Sequence, residues 1–270
     1  MSETTSNNSG KNGDAASDDE KTMTFWEHLD ELRNRLRRAL FVFAIACVAA
    51  WYAREYVLTV LVFPFHKAWT SENLPGTPEL HFAAPSDAFV AYMKQSMIAG
   101  LVLASPFIFW QLWAFIAPGL YAKEKKSALL FVVSSTLLFA AGGLFGWYVA
   151  FPVAFGYLLS LSGNLEAVEI AITPTVMMKD YLDFIGKMFL AFGLIFEIPL
   201  ISVFLSVAGI INYKQMWQFG RWFVLIAFVL GAVLTPPDVA SQLIMAFPMC
   251  LLYLLSIGLS YLFGRKPKTS

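Results

Sequence analysis

Two glutamates, Glu27 and Glu31, stand one helical turn apart in the stretch EHLDELRNRL, and Arg33, Arg35, Arg37 and Arg38 follow at once. A long apolar run begins after Arg38, so the segment lies at the doorstep of a membrane, where arginines meet anionic headgroups. Carboxylates gain nothing from that setting. Glu31 can pair with Arg35 at i,i+4, worth about 0.2–0.5 kcal/mol, but this leaves Glu27 as a like-charge neighbour one turn away. A second such position is Glu124 in WAFIAPGLYAKEKKSALLF, flanked by Lys123, Lys125 and Lys126. Two carboxylates in basic surroundings on one membrane face suit a guanidinium-bearing peptide, because the planar fork of arginine pairs bidentately with a carboxylate. The structural alternative is a pair of solvated loop charges.

One further ionisable group falls inside an apolar run: Glu197 in LAFGLIFEIPLISVFL. A charged side chain at mid-bilayer costs ~3 kcal/mol on insertion scales, so this carboxyl must face the bundle interior or a partner helix. Pro199, two residues on, removes a backbone donor and kinks the helix nearby. In LTPPDVASQLIMAFP, Asp238 follows Pro236-Pro237 and is placed to cap the next helix. Gln242 lies one turn further on, where its amide can bind another membrane helix. The three histidines, His28, His66 and His81, have no metal-ligand spacing, and no phosphate loop or nucleophile motif occurs. The residues imply no enzyme, no cofactor, no metal and no nucleic-acid surface. A proton-coupled small-solute carrier using Glu197 is the alternative function, although few polar residues line the apolar runs and no internal repeat stands out.

The elements that hold these residues follow from composition. The chain of 270 residues is 58% hydrophobic and 14% charged, with 25 Phe and 8 Trp, far from the quarter or so of charged residues in soluble domains. Uncharged runs long enough for a ~30 Å hydrocarbon core predict six helices near 37–56, 94–118, 127–152, 181–209, 219–235 and 239–263, hence an all-α integral membrane protein. Residues 1–22 are polar and predicted disordered; 23–264 form the membrane domain and 265–270 a basic tail. Phe25, Leu29, Leu32 and Leu36 form one helical stripe opposite Glu27, Glu31, Asn34 and Arg38, predicting an interfacial helix that turns into the first span. Of the 19 Lys and Arg, only Arg54, Lys67, Lys94, Lys179 and Lys187 fall at or near one side, so both termini are expected in the cytoplasm. The outer connections 57–93 and 153–180 are proline-bearing and expected to be structured. VLVFPFHKAW and PSDAFVAYMKQSM would lie along the outer surface, with Ser86 or Asp87 as a cap. The fifth helix, at about 17 residues, would be only ~25 Å long, making a short hairpin with a sixth helix interrupted by Pro248. Cys47 and Cys250, both in apolar runs, suggest no disulfide.

Four ordered blocks, HLDELRNRL, ASPFIFWQLWAFIAPGLYAKEKK, FLAFGLIFEIP and LTPPDVASQ, give the chain from about Phe25 to Phe263 a close resemblance to the TatC family, the multispanning core subunit of the twin-arginine protein translocase. That resemblance implies a concave six-helix bundle in the bacterial inner membrane, with both termini in the cytoplasm. It implies recognition of twin-arginine signal peptides on folded cargo, by Glu31 and Glu124 with Leu32, Arg33 and Phe115 nearby. Glu197, Asp238 and Gln242 correspond to the family's intramembrane and outer-face polar positions. Pro64, Pro106 and Pro118 correspond to its structural prolines. Implied partners are single-span proteins of the TatA and TatB type, docking at the fifth and sixth helices, and further copies of the chain; the implied driving force is the protonmotive force. The polar amino-terminal extension is longer than the family's, and Trp147 stands where the family has tyrosine, so no role is carried onto it.

Overall fold

The computed structural model describes residues 25–72, 76–116, 125–161, 163–165, 170–172, 174–235 and 239–264. Helix α1 (Phe25–Tyr52) has 28 residues and no internal glycine or proline, so the amphipathic amino-terminal stripe and the first apolar run form one rod of about 42 Å. The expected turn between an interfacial helix and a span at 37–56 is therefore absent. The chain bends instead at Ala53, by 80°, into α2 (Arg54–Ser71), which contains VLVFPFHKAW and buries Pro64.

After β1 (Leu80–His81) comes α3 (Pro85–Ile116), 32 residues long. PSDAFVAYMKQSM is its opening, not a separate surface segment. Asp87 Oδ2 accepts the Ala84 N–H at 3.1 Å, supplying the predicted cap from within the first turn. Helix α4 (Lys125–Phe145) continues through a π-helical turn (Gly146–Ala150) into α5 (Phe151–Ser160). Pro152 thus does not end the third span. It sits in the first turn of α5, and the wide turn before it lets the Phe151 N–H reach Gly146 O. The outer connections are tied together: β2 (Gly163–Leu165) pairs antiparallel with β3 (Ile170–Ile172), and β4 (Val176–Met177) pairs parallel with β1, Leu80 opposite Val176.

Helix α6 (Met178–Phe196) and α7 (Ile198–Val207) make one span broken at Glu197. Helix α8 (Tyr213–Leu234) begins six residues before the predicted 219, because Asn212 and Gln215 form a reciprocal capping box with both bonds at 3.0 Å. Its 22 residues reach about 33 Å, enough to cross without thinning the bilayer. Helix α9 (Val239–Phe263) has the predicted bounds and runs through Pro248. Among the described residues five spans are long and apolar enough to cross a membrane singly, and the bent α1–α2 pair makes a sixth. The α8–α9 hairpin consists of the two shortest of those five.

Aromatic-rich clusters among the described residues join the helices of the bundle. Phe65, Phe151, Phe155 and Tyr181 join α2, α5 and α6, with ring centroids 5.2–5.8 Å apart. Phe109, Trp113, Val132, Phe139 and Phe204 join α3, α4 and α7. Helix α1 lies against α3 closely enough that a Cβ on Gly100 would stand 2.7 Å from Cys47 Sγ. Helix α8 shows most of its apolar side chains outward, Trp217, Trp222 and Val233 among them, as expected of a lipid-facing helix.

Candidate functional site

Glu31 sits on the first third of α1, beside the end of α3. The antiparallel contact of the two helices brings His28 against Phe115, their rings stacked 4.3 Å apart at 13°. Arg35, one turn on from Glu31, donates from Nε at 2.8 Å and from Nη2 at 2.6 Å, both to the same carboxylate oxygen, Oε1. The i,i+4 pairing of Glu31 with Arg35 is thus formed. It occupies half of the carboxylate. Oε2 is buried, has no hydrogen-bond partner among the described residues, and lies 3.9 Å from His28 Nδ1. A buried acceptor left open next to basic side chains is suited to an incoming cationic donor.

Leu32 and Arg33 follow Glu31 on the same turn of α1 and are exposed, while Phe115 reaches this turn through its stack on His28. Asn34 accepts from Arg37. Glu124 and Pro118 lie outside the described residues. His28, which has no metal-ligand spacing in the sequence, is a packing residue here, and its one-turn spacing from Glu31 is the signal the sequence carries for it.

A second site is built around Glu197, at the joint between α6 and α7. The carboxylate is 5% exposed and takes a hydrogen bond from the Ser135 hydroxyl on α4. Ser135 Oγ in turn accepts from Trp113 Nε1 on α3 at 2.7 Å. Trp113, Ser135 and Glu197 therefore form a polar chain across three spans, and Glu197 Oε1 remains without a hydrogen bond among the described residues. Sequence reading found the carboxylate but not its partners, because a serine in an apolar run is too common to single out.

The remaining positions fall apart from these. Gln242 Nε2 donates to Phe228 O at 2.8 Å, linking α9 to α8 inside the hairpin. The other membrane helix that the amide binds is thus α8 of the same chain, and Gly231 lets α8 approach: a Cβ there would come within 3.2 Å of Gln242 O. Asp238 lies outside the described residues. Pro106, in mid-α3, frees the Val102 carbonyl, and Ser105 Oγ donates to that oxygen at 2.7 Å. Pro64 frees Val60 O in the same way, and Trp147 Nε1 donates to it at 3.1 Å.

Residues 27–248 match the family model for TatC, described as Sec-independent protein translocase protein. The chain belongs to the TatC family. Similar proteins in that family include Sec-independent protein translocase protein TatC of Koribacter versatilis, 36% identical over 90% of this chain and 86% of the relative. The TatC of Aquifex aeolicus is 37% identical over 91% and 98%. A crystal structure of a twin-arginine translocase receptor, TatC, matches with a TM-score of 0.77 at 37% identity, covering 88% of this chain and all of the other. This is a multi-pass membrane protein with the six-helix TatC fold, a protein-transport component of the Sec-independent, twin-arginine system. The family assignment displaces the small-solute carrier reading of Glu197.

Proposed function

We propose that this TatC-family chain is the receptor for twin-arginine signal peptides of folded precursors, binding them at the cytoplasmic face of the bacterial inner membrane. Glu31 and Glu124 accept the two guanidinium groups; Leu32, Arg33 and Phe115 shape the surround; the apolar part of the signal enters the bundle. The bound receptor organises single-span TatA- and TatB-type partners, and the protonmotive force drives transport.

The observation that carries this reading is the buried Oε2 of Glu31, without a hydrogen-bond partner among the described residues, beside a carboxylate oxygen already doubly bonded by Arg35. Glu31 is held in place by its own helix and retains acceptor capacity toward a visitor. The neighbouring Arg33, Arg37 and Arg38 do not repel an arginine peptide, because lipid phosphates at the interface neutralise them. Hydrogen bonds to charged groups contribute about 1.5–3 kcal/mol each, so loss of both acceptors removes most of the recognition.

In membranes carrying the Glu31→Ala, Glu124→Ala chain, site-specific crosslinking to an Arg-Arg precursor should fall to background while insertion stays normal. Arg35→Ala, which frees Oε1 as well, should keep crosslinking at or above the unmodified level. Crosslinking that survives the double substitution would remove the site assignment.

A further inference from the structure

Five basic residues stand on the outer side against the general charge bias, and four have evident reasons. Arg54 lies over the Trp51 ring at 5.4 Å and donates to Trp51 O. Lys67 Nζ is 4.8 Å from the Tyr148 ring centre. Lys179 is exposed in the first turn of α6. Lys94 Nζ binds both oxygens of Asp183, each at 2.8 Å, joining α3 to α6. Lys187 is left. It stands one turn beyond Asp183 on α6, exposed, with no ion pair or hydrogen bond among the described residues.

Its depth follows from chain length. From Met97 to the end of α3 at Ile116, and from Met188 to the end of α7 at Val207, each span has 20 residues, uncharged except for Glu197. Twenty residues of helix match a ~30 Å hydrocarbon core, so Lys94 and Lys187 lie at the outer headgroup level. Gln95 Nε2 donates to Arg54 O at 2.8 Å, which fixes Trp51 and the exposed Tyr52 at the same height, where amphipathic aromatics settle.

Between these lysines and the bilayer interior opens a groove of about 330 Å³, floored by Ile98, Leu101 and Leu190 and walled by Phe43 and Met97. Gly186 narrows its waist: a Cβ there would stand 2.3 Å from Ile98 Cδ1. Two ammonium groups and one carboxylate leave the rim with a single excess positive charge above an apolar slot. We propose that this groove is a binding site for one anionic phospholipid of the outer leaflet, its phosphate on Lys187 at the Lys94 edge and one acyl chain along Phe43, Met97, Leu101 and Leu190. An ammonium at headgroup height attracts an acidic lipid, and the slot gives the chain a fixed place. A partner helix would not satisfy the rim without bringing a carboxylate to the same height.

The test uses the full chain in detergent, mixed with phosphatidylglycerol or phosphatidylcholine of identical acyl chains, with retained lipid counted by native mass spectrometry. One phosphatidylglycerol should be retained over phosphatidylcholine by about fivefold, the scale of one lysine's attraction to an acidic lipid. Lys187→Gln should abolish the preference, Lys187→Arg should keep it, and Met97→Trp, which fills the slot, should cut retention of both lipids. Lys179→Gln, on the same side but outside the groove, should change nothing. Equal retention of the two lipids, indifference to both Lys187→Gln and Met97→Trp, or displacement by excess inorganic phosphate alone would overturn the proposal. So would a photocrosslinker at Met97 that captures a polypeptide in membranes and no lipid.

Discussion

At the scale of single residues, Glu197 shows how a carboxyl is kept inside a span. It occupies the one residue where α6 and α7 are interrupted, two positions before Pro199, and its donor partner Ser135 is fully buried. Removing the carboxyl would leave the Ser135 hydroxyl without its acceptor and a gap at the joint. Interhelical hydrogen bonds in membranes contribute about 0.6 kcal/mol on average and up to about 1.7. Glu197→Ala should therefore lower the thermal stability of the detergent-solubilised chain by roughly 1–2 kcal/mol once the gap is included. Glu197→Gln, whose amide oxygen still accepts from Ser135, should lose less than half of that; equal losses would show that Ser135 is not the relevant partner. The carboxylates were legible in the sequence because each breaks a local rule: an acid in a basic loop, an acid in an apolar run. Their partners were not. His28, Trp113 and Ser135 obey every local rule and acquire their roles only when α1 meets α3 and α3 meets α4.

At the scale of elements, the same limit explains the misplaced helix ends. Reading apolar runs treats proline and charge as boundaries, which predicted a third span ending at Pro152 and an interruption at Pro248. Both prolines lie inside helices, because a proline's cost is the carbonyl it leaves free, and neighbouring groups can take that carbonyl. Trp147, for which the sequence offered no role, serves Val60 O above Pro64. Pro106 offers the sharpest test. Its missing N–H frees Val102 O, which Ser105 Oγ occupies at 2.7 Å, with Ser105 itself buried. Ser105→Ala should destabilise the chain by about 1 kcal/mol by orphaning that carbonyl in a lipid-enclosed helix. In a Pro106→Ala background the new backbone N–H can bond Val102 O, so adding Ser105→Ala should then cost only a few tenths of a kcal/mol. Additive losses in the double-mutant cycle would mean the serine and the proline act independently.

At the scale of the molecule, the proposed orientation rests on span parity and charge. The amino-terminal end of α1, the end of α3, the start of α4, the start of α8 and the end of α9 share one face, because five single spans and one bent span alternate direction. Among the described residues that face carries Arg33, Arg35, Arg37, Arg38, Lys214 and Arg221. An excess of basic residues is retained on the cytoplasmic side, helped by about 1 kcal/mol per residue near an anionic leaflet. The opposite face holds α2 and the paired strands β1–β4 and β2–β3, whose compactness agrees with a structured cap. Orientation can be read with single cysteines in a chain where Cys47 and Cys250 are replaced by alanine. In intact cells a membrane-impermeant maleimide should label Thr77→Cys and Ser160→Cys, beside the outer strands, and should reach Lys214→Cys and Ser270→Cys only after the membrane is broken. The reverse pattern would place Glu31 outside, where no precursor emerging from the ribosome could meet it, and the receptor assignment would fail with the topology.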